Sequence, residues 1–291
     1  MDAPDFNLDL ELKLRSAGIP TAHYVSPSIW AWRGERMGKI RRAVSRMLVV
    51  FPFERALYER AGVPVAYVGH PLADMLADTP GRSAMREQLR LPAAARIITL
   101  LPGSRVSELE QMADLFVETA AQIAAGVPEI QFLAPLISRS TRDLFEAALY
   151  RRRGALNVTV LFGHAHEAMA AADVVLAASG TATLEAALIG RPMVITYRMP
   201  RASWAIIRRR RYQPWAGLPN ILAGEFVVPE FLQEEATPEN LSQAVLNLLF
   251  DGAVRARIER RFAGMAQALR QDGAESIAAA LLPLIRSGSA G

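Results

Sequence analysis

Eight short, continuously apolar runs punctuate the chain: PTAHYVSP, SRMLVVFP, VPVAYVGHP, ARIITLLPGS, EIQFLAPL, NVTVLFG, ADVVLAAS and RPMVITYR. They are rich in Val, Ile and Leu and mostly do not alternate with polar residues, which is the pattern of strands buried on both faces of a parallel sheet. Segments of helical spacing lie between several of them, among them VSELEQMADLFVETAAQIAAG and GTATLEAALIG. The fold class expected is α/β, doubly wound in the Rossmann-like manner. At the start, LDLELKLRSAGIP has helical spacing, with Asn7 placed to cap it and Gly18-Ile19-Pro20 placed to end it.

The run from Gly69 to Arg96 holds Pro-containing turns and no strand pattern, and a fresh β-α-β series follows it. A boundary is therefore expected near residue 75. Residues 1–75 supply about three strands and read as the back half of a domain, because doubly wound sheets usually have about five or six. Residues 76–250 read as a complete second domain, and 251–291 as two helices that pack back on the domains.

Composition changes this picture in two ways. The chain has no Cys among its 291 residues, so disulfides and thiolate-held metals are excluded. Its four His are not spaced for one helix face, and neither a metal nor a cofactor is expected. The net charge of +4 is concentrated: RGERMGKIRRAVSR carries six basic residues and one acid, and RASWAIIRRRRYQPW carries five and none. Trp30, Trp32, Trp204 and Trp215 flank these stretches. A solvated helix face, an anionic membrane surface and nucleic acid all fit that pattern.

Two strand ends carry candidate chemistry. ITLLPGSR hands a strand to a helix through Pro102-Gly103-Ser104-Arg105, where backbone N–H groups face an anion and a guanidinium can grip it. Equally, Arg105 could only cap the turn. ADVVLAASGTATLE repeats the device with Ser179-Gly180-Thr181, and Glu185 follows one helical turn on, placed for ribose hydroxyls or for solvent. Tyr197 and Arg198 end the next strand, so all of these face one crevice. In LPNILAG, a non-helical segment is expected; Asn220 either reads a base or sugar or stabilises its own turn, and Pro229-Glu230 starts a short helix.

The motifs DAPDFN, YVSPSIWAWR, FPFE, VGHPLAD, LLPGSR, ASGTATLE, YRM and LPNILAG, in this order, closely resemble lipid-A-disaccharide synthase over nearly the whole chain. The resemblance implies the two-domain glycosyltransferase B fold, with the donor held by the second domain. It implies inverting transfer of 2,3-diacylglucosamine from its UDP derivative to 2,3-diacylglucosamine 1-phosphate, giving a disaccharide 1-phosphate and UDP, with no cofactor. Asp2 then matches the family's candidate base and Arg105 its essential Arg, stabilising the leaving diphosphate. Gly103, Ser104, Ser179, Gly180, Thr181, Glu185, Tyr197, Arg198 and Asn220 fall on segments expected to line the UDP pocket. Trp30, Trp32, Arg33, Trp204, Arg208, Arg209, Arg210 and Arg211 become an acceptor-side or membrane face, which favours a peripheral enzyme on the cytoplasmic face of the inner membrane over a nucleic-acid binder. A homodimer is compatible with this. Family members begin with a strand and a Gly-Glu-x-Ser-Gly-Asp turn, so the first domain is expected to be incomplete here. The chain as given is then expected to bind UDP weakly and turn over poorly. The alternatives are another UDP-sugar transferase or epimerase of the same fold, and an inactive membrane-surface remnant.

Overall fold

A computed structural model gives the structure of residues 3–31, 34–152, 154–210 and 213–288. The chain forms two compact units, Met1–Met75 with Ala205–Pro214 and Ala266–Gly291, and Leu76–Trp204 with Trp215–Met265.

In the first unit, helix α1 (Pro4–Ser16) starts at Pro4, so Asn7 lies inside the helix and does not cap it. The fixed φ and missing N–H of proline suit a first helical turn, and this sets the start four residues ahead of the expected one. Gly18 at φ +80° turns the chain towards β1 (Ala22–Tyr24). Next come α2 (Met37–Ala43), β2 (Arg46–Val49), α3 (Pro52–Arg60), β3 (Val65–Tyr67) and α4 (Pro71–Met75). The strands form a parallel sheet in the order β1-β2-β3, with Met47 opposite both His23 and Val65. Leu8, Ile40, Met47, Val49 and Tyr58 are buried together as its core.

The second unit contains α5 (Arg82–Gln88), β4 (Ile97–Leu101), α6 (Val106–Gly126), β5 (Gln131–Leu136), α7 (Arg139–Arg152), β6 (Val158–Phe162), α8 (Ala165–Ala171), β7 (Val174–Ala178), α9 (Thr181–Leu188) and β8 (Met193–Tyr197). Further along the chain come α10 (Arg201–Arg210), which from Ala205 belongs to the first unit, α11 (Leu218–Ala223), β9 (Glu230–Leu232) and α12 (Pro238–Phe250) of the second, α13 (Gly252–Leu269), which passes to the first unit at Ala266, and α14 (Gly273–Gly288), which belongs to the first. The sheet is parallel throughout, in the order β6-β5-β4-β7-β8-β9. The winding reverses between β4 and β7, whose carboxyl ends therefore part to leave a crevice. Every residue of β4 and β7 is buried, which is why both read as unbroken apolar runs. Each fully buried aliphatic side chain contributes about 1.5–3 kcal/mol.

Two local expectations are corrected. LPNILAG is the short helix α11, with Pro219 in its first turn and Gly224 at φ +66° as its left-handed cap. Glu230 begins no helix: it opens edge strand β9, which pairs Glu230 with Ile195 and Phe231 with Thr196. At the other end of the sheet, Asp173 accepts from Arg82 (2.8 Å), Arg86 (2.9 Å) and the Ile97 amide (2.9 Å), pinning α5 to the start of β4. Among the described residues, no helix is long and apolar enough to cross a membrane.

Candidate active site

A cavity of about 380 Å³ opens at the carboxyl ends of β4 and β7, at the reversal of the winding. Gly103, Ser104 and Arg105 form one wall, Ser179, Gly180, Thr181 and Glu185 another, and Tyr197 closes a side. The two strand-to-helix turns predicted to face one crevice do so.

The first turn is built around a residue that sequence reasoning missed. Glu108 accepts the Ser104 amide (2.9 Å) and the Arg105 amide (3.3 Å), and its other oxygen takes the Arg105 guanidinium (3.1 Å). These amides are therefore capped from within, and the expectation of free anion-binding N–H groups at this turn is corrected. A Glu three residues after Arg105, in the first turn of α6, is the capping-box position, so the signal was in the sequence. The Arg105 side chain remains 77% exposed, leaving guanidinium capacity for a ligand. Gly103 stands at φ +132°, and a Cβ there would lie 2.6 Å from the Glu108 Cβ. Only glycine fits.

The second turn is more open. Among the described residues no side chain caps the start of α9, and Gly180, Thr181 and Ala182 lie on the cavity wall. The Ser179 hydroxyl donates to the Ala216 carbonyl (3.0 Å), fixing the turn against the following segment. Glu185, also on the cavity wall, receives His166 Nε2 at 3.1 Å. Burial holds the Tyr197 phenol above its ordinary range, and the neighbouring Glu108 adds to this.

Two predicted ligand residues are engaged elsewhere and do not line the cavity. The Arg198 guanidinium donates to the Ala236 carbonyl, and its amide meets the Met112 sulfur at 3.2 Å. Asn220 is fully buried. Its amide nitrogen donates to Val228 O (2.9 Å) and Glu230 (2.8 Å), and its oxygen accepts from the Val227 (2.8 Å) and Val228 (3.0 Å) amides. With four bonds made, it has no capacity left to read a base. Glu230 completes this lock by taking the Ala216 (2.8 Å) and Gly217 (3.0 Å) amides. A larger hollow in the same unit, about 980 Å³, is lined by Pro229, Phe231, Leu248, Phe250 and Val254 among others; it contains no strand-to-helix turn aimed at an anion.

In the first unit, Asp2 lies outside the described residues, as do Trp32 and Arg33. A cavity of about 430 Å³ adjoins residue 3 and is lined by Ala3, Asn7, His23, Tyr24 and Ser26 among others. His23 is buried, with Nδ1 at 2.8 and 3.0 Å from the two Glu11 oxygens. Val25, on the same rim, has φ +70°, a conformation that β-branched residues avoid. Trp30 is half-buried, its indole N–H donates to buried Glu54 (3.0 Å), and its ring meets Phe53 edge-on at 5.3 Å. Glu54 also accepts the Phe51 amide (3.1 Å), while burial pushes its carboxyl up to about 7. Sequence reading missed Glu54 as a titrating group, though FPFE carries it.

The basic stretches are only partly free. Arg36 pairs with Asp5 and Lys39 with Asp9, each at 2.7 Å. Trp204 lies on α10 and is half-buried. Arg208, Arg209 and Arg210 fall on the same helix, with their side chains outside the described part, and Arg211 is outside the described residues altogether.

A parallel sheet wound about a switch-point crevice, with a smaller parallel unit beside it in sequence, defines the class: a glycosyltransferase-B-like α/β protein. UDP-GlcNAc 2-epimerase from Neisseria meningitidis, solved bound to UDP-GlcNAc, shares the fold at TM-score 0.58 and 12% identity, over 90% of this chain and 72% of that one. WaaG, a glycosyltransferase involved in lipopolysaccharide biosynthesis, matches at TM-score 0.55 and 14% identity, over 94% and 80%. Residues 1–282 match the lipid-A-disaccharide synthetase family, and the chain belongs to it. It is 54% identical to the lipid-A-disaccharide synthase of Methylobacillus flagellatus over 98% of this chain and 76% of that protein. For the enzyme of Azoarcus sp. the figures are 55%, 99% and 74%. The chain thus spans about three quarters of the length of these relatives. It is a hexosyltransferase of lipid A biosynthesis.

Proposed function

We propose that the switch-point cavity holds the UDP of a UDP-2,3-diacylglucosamine donor and that the acceptor is 2,3-diacylglucosamine 1-phosphate. The observation carrying this is the convergence on one cavity of two strand-to-helix turns and the exposed Arg105 guanidinium. The open amides of α9 and Arg105 take the diphosphate, and Glu185 takes the ribose hydroxyls. As the glycosidic bond to UDP breaks, charge grows on the departing diphosphate, where Arg105 is worth most. Asp2 takes the proton of the attacking acceptor hydroxyl on the opposite face of the anomeric carbon, which inverts it. Both substrates are anionic, acylated and resident in a membrane, so the enzyme works as a peripheral protein on the cytoplasmic face of the inner membrane. The tryptophan and arginines of the segment 201–211 serve as its docking face.

The test is UDP titration together with disaccharide formation from the acylated substrates. Arg105→Ala and Asp2→Asn should each lower transfer at least about 100-fold. Unacylated UDP-N-acetylglucosamine with an unacylated acceptor should give no product. Transfer near the parental rate by Arg105→Ala would sink the assignment.

A further inference from the structure

The proposed transfer leaves His166 unused, yet among the described residues it is the one hydrogen-bond partner of the Glu185 carboxylate on the cavity wall. Glu185 sits on α9 with its side chain 19% exposed, and His166 Nε2, from the first turn of α8, stands 3.1 Å from its Oε2. Among the described residues, no other group hydrogen-bonds the Glu185 carboxylate. A carboxylate on a cavity wall, free at one oxygen and held at the other, is an oriented acceptor. Two other carboxylates in this part of the unit are occupied otherwise: Glu108 by the Ser104–Arg105 turn, and Glu167 by His164 at 3.2 Å. Without His166, the Glu185 side chain would lose the contact that selects one rotamer.

We infer that His166 is a positioning residue for the donor nucleotide: by donating from Nε2 it aims Glu185 at a vicinal diol, so that the site selects a ribonucleoside diphosphate. The inference rests on the reading of this cavity as the UDP site. His166 touches no ligand in this scheme; its effect passes wholly through Glu185. The bond it donates costs little at rest, because both partners are already partly withdrawn from water.

The experiment is a thermodynamic cycle in protein and ligand, run by calorimetry on the full chain. UDP and 2′,3′-dideoxyuridine diphosphate are titrated into the parent, His166→Ala and His166→Gln. The expected result is that His166→Ala weakens UDP roughly tenfold, the value of one charge-assisted hydrogen bond, and leaves the dideoxy ligand within about twofold. His166→Gln, whose amide can donate from a similar reach, should recover most of the loss. Equal losses for both ligands would mean a general disturbance of α8 and overturn the inference, as would unchanged UDP binding. Failure of the parent chain to bind UDP at all would overturn the donor-site reading itself, and this inference with it.

Discussion

At the scale of single residues, the site depends on atoms that must be absent as much as on those present. Gly103 has φ +132° and no room for a Cβ, because the Glu108 Cβ would lie 2.6 Å away and its Oε2 2.8 Å. Gly103→Ala must therefore move the turn and pull the Ser104 and Arg105 amides off Glu108. The expected outcome is a loss of about 1–3 kcal/mol in stability and a weaker UDP complex, checked by denaturant unfolding and titration. An alanine variant as stable as the parent would show that the turn is not under this constraint. The same scale explains which site residues could be read in advance. Gly103, Ser179 and Gly180 announce themselves, since small residues between an apolar run and a helix have few other uses. Asn220 and Arg198 did not, because an amide that ties its own loop and an amide that reads a base are the same letter. Four internal bonds decide for the loop, and only the folded chain displays them.

At the scale of elements, strands were legible and ends were not. The eight apolar runs became β1 to β8. In β4, β5, β7 and β8 burial on both faces leaves no alternation to misread, whereas β1, β3 and β6, at sheet edges with exposed or half-buried positions, were legible from their apolar residues alone. Strand β9 escaped because three half-buried residues at a sheet edge carry too little apolar signal. The start of α3 shows what such ends can hide. Glu54 caps the Phe51 amide and receives the Trp30 indole, so it latches the loop after β1 to the helix after β2. Burial raises its carboxyl from 4.5 to about 7, although hydrogen bonds from Phe51, Ser26 and Trp30 favour the charged form. Between those two values the unfolded chain has released a proton that the folded chain retains, so stability falls as pH rises through this window. Below about pH 4.5 the penalty is absent, and above about 7 it is complete, amounting to about 3 kcal/mol. Glu54→Gln should remove that slope. Measured against the parent from pH 4 to 8, the variant should gain relative stability as pH rises, and a constant difference would refute the buried titration.

At the scale of the molecule, the first unit is made from both ends of the chain. Its sheet comes from residues 22–67, yet Leu48 and Val68 are buried against Ala280 of α14, with Ile277 and Leu281 packed beside them. Polar contacts follow the same route: Arg46 donates to the Ala280 carbonyl (3.1 Å), Tyr67 to the Ala268 carbonyl (2.7 Å) and the His70 amide to the Leu269 carbonyl (2.9 Å). The two terminal helices were readable from their spacing, but their destination was not, because an apolar helix face attracts any apolar partner equally. Arg46 and Ala280 lie 234 positions apart, so the loop-closure cost of this packing falls late in folding. The proposed donor cavity, by contrast, is lined among the described residues by ones between Leu101 and Tyr197 of the second unit. A chain ending at Asp272 should therefore lose the first unit and keep the second. In hydrogen exchange, the amides of β2 and β3 should lose their protection, while those of β4 and β7 keep it and UDP still binds. If β2 stays protected without α14, the three-strand sheet is held by α1, α2 and α3 alone, and the last helix is an accessory to it. If β4 and β7 also open, the stability of the second unit depends on the first, and the cavity with its two turns is not an independent module.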